Sequence, residues 1–384
     1  MPFDLNVKKE GLLNFSIQRE TLLQTLQISV GVVERRHTMQ ILSNVLLAVD
    51  DRQLIVIGTD LEVELIGLAK LDKPIKNFRP TTVAARKLMD ICRALPEESI
   101  LKITASEDGK KIGIASGRSR FMLATLPAAD FPRIPEQTNL VQFSIRQDVL
   151  KKLAEKTYFA IPQQDVRNYL NGMLLEIQDS FIRVVASDGH RLALNMEEFP
   201  AGKSDTFAQV IIPRKGVLEL MRLLENSKDQ VVVELNANYL RLKGESFIFT
   251  SKLIAGKFPN YARSIPKNIN KQIIINRQDL KQAIMRVAIL SNEIFRSVKF
   301  NIENGLLKLS TNNPEQEEAG EEMEVDYKGD QIEIMFNINY LLDILSSISS
   351  DKIVLNIKDG EGGVVIEDFD ERNKSLYVVM PIRK

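Results

Sequence analysis

Three long stretches of the chain open with a run in which apolar and polar residues alternate at the two-residue period of a strand. Apolar positions at helical spacing follow each run. The runs are Phe15-Ser16-Ile17-Gln18, Phe143-Ser144-Ile145-Arg146 and Ile273-Ile274-Ile275-Asn276, and Ile17, Ile145 and Ile275 stand 128 and 130 residues apart. Further landmarks recur in the same order. Thr59-Asp60, Ser187-Asp188 and Thr311-Asn312 each follow an apolar, strand-like run, and a second helical pattern then puts Asp90, Glu219 and Asp343 in register. A period this long is the size of a domain, so the chain reads as three tandem copies of one fold.

Within a copy, the first helical pattern ends near residues 33, 160 and 291. Strands follow, as in Asn44 to Val49 with Leu54 to Ile57, Met173 to Ile177 with Phe181 to Val185, and Val298 to Ile302 with Leu306 to Leu309. Asp50-Asp51-Arg52-Gln53 and Glu303-Asn304-Gly305 read as turns between them. The second helix lies near 84–95, 213–225 and 337–348, and two more strands are expected to close each copy. Strands clustered after each helix predict an α+β fold, with antiparallel sheets carrying two helices per domain on one face. Ala128-Ala129-Asp130-Phe131-Pro132 and Ala255-Gly256-Lys257-Phe258-Pro259 mark stiff, extended connectors, because proline restricts both itself and the residue before it. The expected domains are 1–137, 138–268 and 269–384.

Composition narrows the function classes. One cysteine, Cys92, falls in a helical pattern as a core residue and excludes an internal disulfide. No cluster suits a metal, and no phosphate-binding or dinucleotide motif suits a cofactor, so none is expected. Asp188-Gly189-His190-Arg191 is the one string that looks catalytic, yet the other copies lack it and no nucleophile is marked. No catalytic residue is assigned. The N-terminus lacks a signal peptide and no stretch could span a bilayer, so the expectation is a soluble, cytoplasmic protein without membrane contact.

Net charge is zero, from 51 basic and 51 acidic residues, but the helices are not neutral. The stretches 84–95, 146–157 and 277–291 each carry +2 and 213–225 carries +1; the first helix is neutral and 337–348 carries −1. Arg86, Lys87, Lys151, Lys152, Arg214, Lys215, Lys281 and Arg286 would make one face basic, suiting either phosphate contacts without base reading or ordinary solvated helices. A second polarity separates the ends of the chain. Arg118, Arg120, Phe121 and Leu123 form a basic and apolar string, while Glu315, Glu317, Glu318 and Glu321 form an acidic run near Ile289 and Leu290. Complementary patches on equivalent domains suggest a head-to-tail homodimer contact, closing a ring or growing a filament, unless the acidic run is merely a solvated loop.

The landmarks resemble the bacterial DNA polymerase III beta subunit family, the sliding clamps, from about Phe15 to Arg383. The strings that carry the resemblance include Gly58-Thr59-Asp60-Leu61-Glu62, Ser116-Gly117-Arg118-Ser119-Arg120-Phe121, Tyr169-Leu170-Asn171-Gly172-Met173, Asp188-Gly189-His190-Arg191-Leu192, Asn312-Asn313-Pro314-Glu315-Gln316-Glu317-Glu318 and Val378-Val379-Met380-Pro381. The resemblance implies a non-enzymatic processivity factor: a ring of two copies encircling duplex DNA without sequence preference and tethering the replicative polymerase, opened by a separate clamp loader. It implies a groove for a short apolar peptide of these and other partners, formed by Leu170, Ser187, Gly189, His190, Arg191, Leu192, Pro259, Arg263, Phe295, Asn337, Tyr340, Val378, Val379, Met380, Pro381, Ile382 and Arg383. It also implies DNA contacts at Arg36, Gln164 and Arg167, with Tyr169 nearby. The dozen residues before the first strand have no counterpart and no inferred role.

Overall fold

The computed structural model describes residues 14–34, 39–75, 78–106, 108–135, 141–178, 181–198, 208–267, 269–358, 362–370 and 374–383. The N-terminal extension and Arg36 lie outside these. The first copy comprises β1 (Asn14–Gln18), α1 (Arg19–Ser29), β2 (Asn44–Thr59), β3 (Val63–Ile75), β4 (Thr81–Ala84), α2 (Ala85–Ala94), β5 (Ile100–Ala105), β6 (Lys111–Ser116) and β7 (Ser119–Ala124). The second comprises β8 (Val141–Arg146), α3 (Gln147–Glu155), β9 (Gly172–Gln178), β10 (Phe181–Ser187), β11 (Arg191–Glu198), β12 (Ala208–Pro213), α4 (Arg214–Leu223), β13 (Gln230–Leu235), β14 (Tyr239–Lys243) and β15 (Phe247–Lys252). The third comprises β16 (Lys271–Asn276), α5 (Arg277–Val287), β17 (Ser297–Glu303), β18 (Leu306–Asn312), β19 (Glu318–Glu324), β20 (Ile332–Asn337), α6 (Ile338–Ser347), β21 (Lys352–Ile357), β22 (Val364–Asp368) and β23 (Ser375–Val379).

The expected order of elements is therefore present three times, with three differences. Three strands, not two, close each copy, because the apolar alternation after α2, α4 and α6 turns back twice. The first helix of each copy ends at 29, 155 and 287, short of the expected limits, and single 3₁₀ turns at 30–32, 158–160 and 288–290 supply the remaining helical residues. In the first copy the two expected strands are one element, β2. Its first half pairs with β4 and its second with β3, and Asp51 takes φ +50 where the turn was expected.

Compactness divides the chain into two units: residues 1–148 with 218–253, and residues 149–217 with 254–384. The first holds a four-stranded sheet in the order β1-β5-β6-β7 and a seven-stranded sheet in the order β4-β2-β3-β15-β14-β13-β8. Between them Leu22 and Leu26 of α1 and Leu88 and Cys92 of α2 are fully buried. Burial pushes the Cys92 thiol up to about 12, since a thiolate there would have no water around it. The second unit holds an eight-stranded sheet, β12-β9-β10-β11-β23-β22-β21-β16, and a four-stranded sheet, β19-β18-β17-β20. All pairings between named strands are antiparallel, as expected. Strand β11 joins β23 in register, with Leu192 opposite Val378.

The connectors are anchored as well as stiff. Phe131 is buried on the β2–β3 sheet, and Arg133 beside it donates from Nε (2.6 Å) and Nη2 (3.2 Å) to Glu64, a carboxylate only 2% exposed. No helix among the described residues is long and apolar enough to cross a membrane.

Candidate functional site

The only catalytic-looking string is a turn. Ser187 Oγ accepts from the Gly189 amide (3.1 Å) and donates to the Arg191 carbonyl (2.7 Å), while Asp188 Oδ1 accepts from the His190 and Arg191 amides, both at 2.9 Å. The first copy builds the same turn, Thr59 Oγ1 and Asp60 Oδ1 receiving the amides of Leu61, Glu62 and Val63. Gly189 takes φ +89 and its counterpart Leu61 takes φ +79, a conformation cheap for glycine and costly for leucine. Asp188 is thus a main-chain acceptor with its other oxygen on Arg191 Nε at 3.0 Å. Nothing in that arrangement aims a carboxylate at the His190 ring, which instead stacks on Tyr340 at 6.5 Å.

Arg191 is the hub. Besides Asp188 it donates to Asp343 Oδ2 (2.6 Å) and to the Phe159 carbonyl (2.7 Å), and its guanidinium lies 4.5 Å over the Tyr340 ring. Tyr340 and Asp343 both belong to α6, so one cation ties the turn to that helix through charge and ring face together. Asn337 caps the helix, its side chain accepting from Asn339 and Tyr340 amides. Burial, then Asp188, raises the Tyr340 phenol, so it stays neutral.

Around this hub an apolar cluster covers one face of the eight-stranded sheet. Leu170, Leu174, Leu192, Val365, Val378 and Phe258 are buried in it, with Tyr169 and Tyr261 packed against them. The C-terminal segment is pinned alongside: Met380 N donates to the His190 carbonyl (2.8 Å) and Ile382 N to the Met335 carbonyl (2.7 Å). Phe295 and Ile294 are left 66% and 84% exposed, two adjacent apolar side chains open to solvent. Pro259 and Arg263 are exposed on the connector that carries Phe258. The expected groove residues thus come from six segments of one unit, and Val379 among them is buried. Asp343, Phe159 and Tyr261, which belong to the same surroundings, were missed. Asp343 had given a signal, its register with Asp90 and Glu219.

The cations split into two classes. Arg86 donates to the Val33 carbonyl (3.3 Å) and Arg214 to the Ile161 carbonyl (2.6 Å), neutral acceptors that hold the side chain and leave its charge intact. Arg167 pairs with Asp165 at 2.8 Å, Lys152 with Glu197 at 3.1 Å, Lys151 approaches Glu155 at 4.0 Å, and Arg286 pairs with Glu321. Arg167 holds the Asp165 carboxyl down at about 2. The last pair joins residues expected on two different surfaces, one facing DNA and one facing a second subunit. Lys87 and Gln164 are exposed, and Lys215 and Lys281 are half-buried. Arg222, one of the helical charges, donates instead to the Gln27 and Ile28 carbonyls at the end of α1.

The acidic run is part turn and part strand. Strand β19 forms one edge of its sheet, exposing Glu318, Glu322 and Glu324, with Glu315 and Glu317 in the turn before it. Ile289 is 77% exposed and Leu290 half-buried in the 3₁₀ turn after α5. Strand β7 is an edge too. It turns Phe121 and Leu123 toward its own core and Arg120 and Met122 outward, after a hairpin tip bearing Arg118.

Comparison with known proteins covers both the cluster and the edges. Family descriptions of the DNA polymerase III beta subunit match in sequence: the N-terminal domain over residues 13–135, the central domain over 144–260 and the C-terminal domain over 262–383. Beta sliding clamps of Pseudomonas aeruginosa and Escherichia coli are 47% and 44% identical over 371 residues, taking in 97% of this chain and 100% of theirs. The crystal structure of the DNA polymerase III subunit beta from Pseudomonas aeruginosa superposes with a TM-score of 0.93 over 97% of this chain and 100% of that one, at 47% identity. A sliding clamp from the same organism bound to griselimycin gives 0.93 at 46% identity, covering 98% of this chain and 100% of its own. With every segment from the first strand to the C-terminal tail accounted for, the chain belongs to the DNA polymerase III beta subunit family.

Proposed function

We propose that two copies of this chain close head to tail into a ring around duplex DNA, and that the ring tethers the replicative polymerase and other partners through the apolar cluster on the second unit. The observation that carries the reading is the pair of unlike edge strands, basic β7 and acidic β19, which lets identical subunits join at two equivalent places. The three clamp domains are 1–137, 138–268 and 269–384. Arg118, Arg120, Phe121 and Leu123 meet Ile289, Leu290, Glu315, Glu317 and Glu318 at the subunit contact, with Glu321 behind them on Arg286. The subunit is non-catalytic, and opening the ring falls to a separate loader.

Processivity then comes from topology and not from affinity. Cations held on carbonyls, Arg86 and Arg214, keep their charge for phosphates, as does the exposed Lys87, and Lys215 and Lys281 belong to the same set. Arg36, Gln164, Arg167 and Tyr169 complete the DNA-facing set, with Lys151 and Lys152 weakened by their carboxylates. Such contacts read no bases and are loosened by salt, so the duplex can slide. The partner peptide lies across Leu170, Leu192 and Val378, rimmed by His190, Arg191, Tyr340, Phe295 and Met380. Apolar walls of this kind take a Leu or Phe, and the polar rim orients the peptide backbone. Loading onto a nicked circle tests the reading. Retention is expected on the circle and loss after it is linearised; equal retention on both would refute the ring.

A further inference from the structure

Strands β12, β9, β10 and β11 align Gln209, Glu176, Arg183 and Met196 as direct cross-strand partners. Glu176 is only 4% exposed, yet its carboxylate is fully occupied. Oε1 accepts from Gln209 Nε2 at 2.8 Å; Oε2 accepts from Arg183 Nη1 at 3.1 Å and from Tyr261 Oη at 2.7 Å. Arg183 Nη1 also donates to Tyr261 Oη at 2.8 Å, and the guanidinium lies 4.4 Å from the centre of the Phe181 ring. Tyr261 is the one member that is not on the sheet. It opens the 3₁₀ turn Tyr261–Arg263 of the connector, two residues after Pro259 and two before Arg263.

We propose that Tyr261 is a positioning residue for the peptide groove: clamped between Glu176 and Arg183, its hydroxyl fixes the connector against the sheet and so sets the wall formed by Pro259 and Arg263. This rests on the groove reading above. The connector has two anchors on this face, and they differ in kind. Phe258 sits in the apolar cluster, and apolar contact is non-directional, tolerating a slide along the sheet. The Tyr261 hydrogen bonds to a buried ion pair are directional and short, and do not. Burial and Glu176 keep the hydroxyl protonated, as a donor must be. The first connector carries a comparable anchor, Arg133 on buried Glu64, in the other unit. The second anchor therefore has a matched control.

Full-length protein is titrated with griselimycin, below the unfolding range of every variant. Tyr261→Phe removes one oxygen and leaves the ring, and should weaken binding roughly tenfold, the size of one lost hydrogen bond to a charged group. Amides of the 3₁₀ turn, such as Ser264 on the Tyr261 carbonyl at 2.9 Å, should exchange faster in the same variant. Arg133→Met should lower the unfolding midpoint and leave affinity within about twofold, which separates positioning from general loosening. Phe295→Ala, on the exposed rim, reports on the groove itself and should weaken binding. If Phe295→Ala weakens binding but Tyr261→Phe stays within about twofold of the parent, or Arg133→Met weakens it equally, the positioning role is overturned and the groove stands. If Phe295→Ala changes nothing, the groove reading fails and the role of Tyr261 falls with it.

Discussion

The anchor of the first connector allows a sharp prediction, because Glu64 is almost without water. Its carboxylate receives two hydrogen bonds from Arg133 and one from the Ile134 amide at 3.2 Å. Arg133→Met removes the first two and strands a buried charge on a single amide. Breaking a buried pair from one side costs about 3–5 kcal/mol; the Arg133 side chain is 27% exposed, so solvent reaches it and the lower end, about 3 kcal/mol, applies. For a unit of roughly 150–250 residues that lowers the melting midpoint by about 6–12 °C. Replacing both partners, Glu64→Leu with Arg133→Met, removes the stranded charge and leaves only the Ile134 amide unpaired, a cost of about 1 kcal/mol, so the double variant should recover about 2 kcal/mol of the loss. The assay is urea unfolding followed by hydrogen exchange of the Val63–Leu68 amides of β3, which reports on this unit alone. A single variant costing under about 1 kcal/mol, or a double variant less stable than the single, would refute the claim that the buried carboxylate dominates here.

Asp368 gives a pH dependence for the second unit. Burial raises it, but the Ser350 hydroxyl, the Lys156 ammonium at 3.6 Å and the amides of Ser349 and Asp370 outweigh burial and hold it below its ordinary value. Its unfolded form therefore binds a proton more readily, and its stabilisation is complete above about pH 4 and lost as pH falls through the folded value. Unfolding midpoints of the second unit should drop in that range, and a flat profile down to pH 2 would count against it. Cys92, fully buried with its thiol at about 12, should stay silent to a thiol reagent at pH 8 until the first unit unfolds; prompt labelling of native protein would contradict its place in the core. Reversing Arg118 and Arg120 to Glu should turn attraction between the edges into repulsion, read by light scattering as a fall to the subunit mass, and an unchanged mass would remove those residues from the contact.

The threefold period and the α+β class were legible because periodicity leaves marks in a sequence, whereas Leu170, Leu192 and Val378 were reached only through the resemblance to known clamps. Two kinds of feature left none. Buried glutamates such as Glu64 and Glu176 look like solvent-facing strand positions until the connector residue that covers them is known, since nothing local distinguishes a carboxylate met by Arg133 from one met by water. Strand β19 hid behind composition: its inward positions are Ala319, Glu321 and Met323, and Glu321, turned inward by the strand's alternation, is received by Arg286 of α5. Charge counted along helices was similarly blind to partners. The same +1 describes Lys87, exposed, and Arg222, paired with Glu219 at 2.7 Å.

The unlike charges on β7 and β19 also act on assemblies that never form. A bare sheet edge presents open amides and carbonyls to any other edge, including its own copy on a second molecule. Two β7 edges would bring Arg118 and Arg120 against themselves, and two β19 edges would bring Glu318, Glu322 and Glu324 against themselves, so both same-edge pairings meet repulsion along the strand. In the proposed ring, orientation is thereby decided by rejection as much as by attraction, and the pairing that remains is the head-to-tail one.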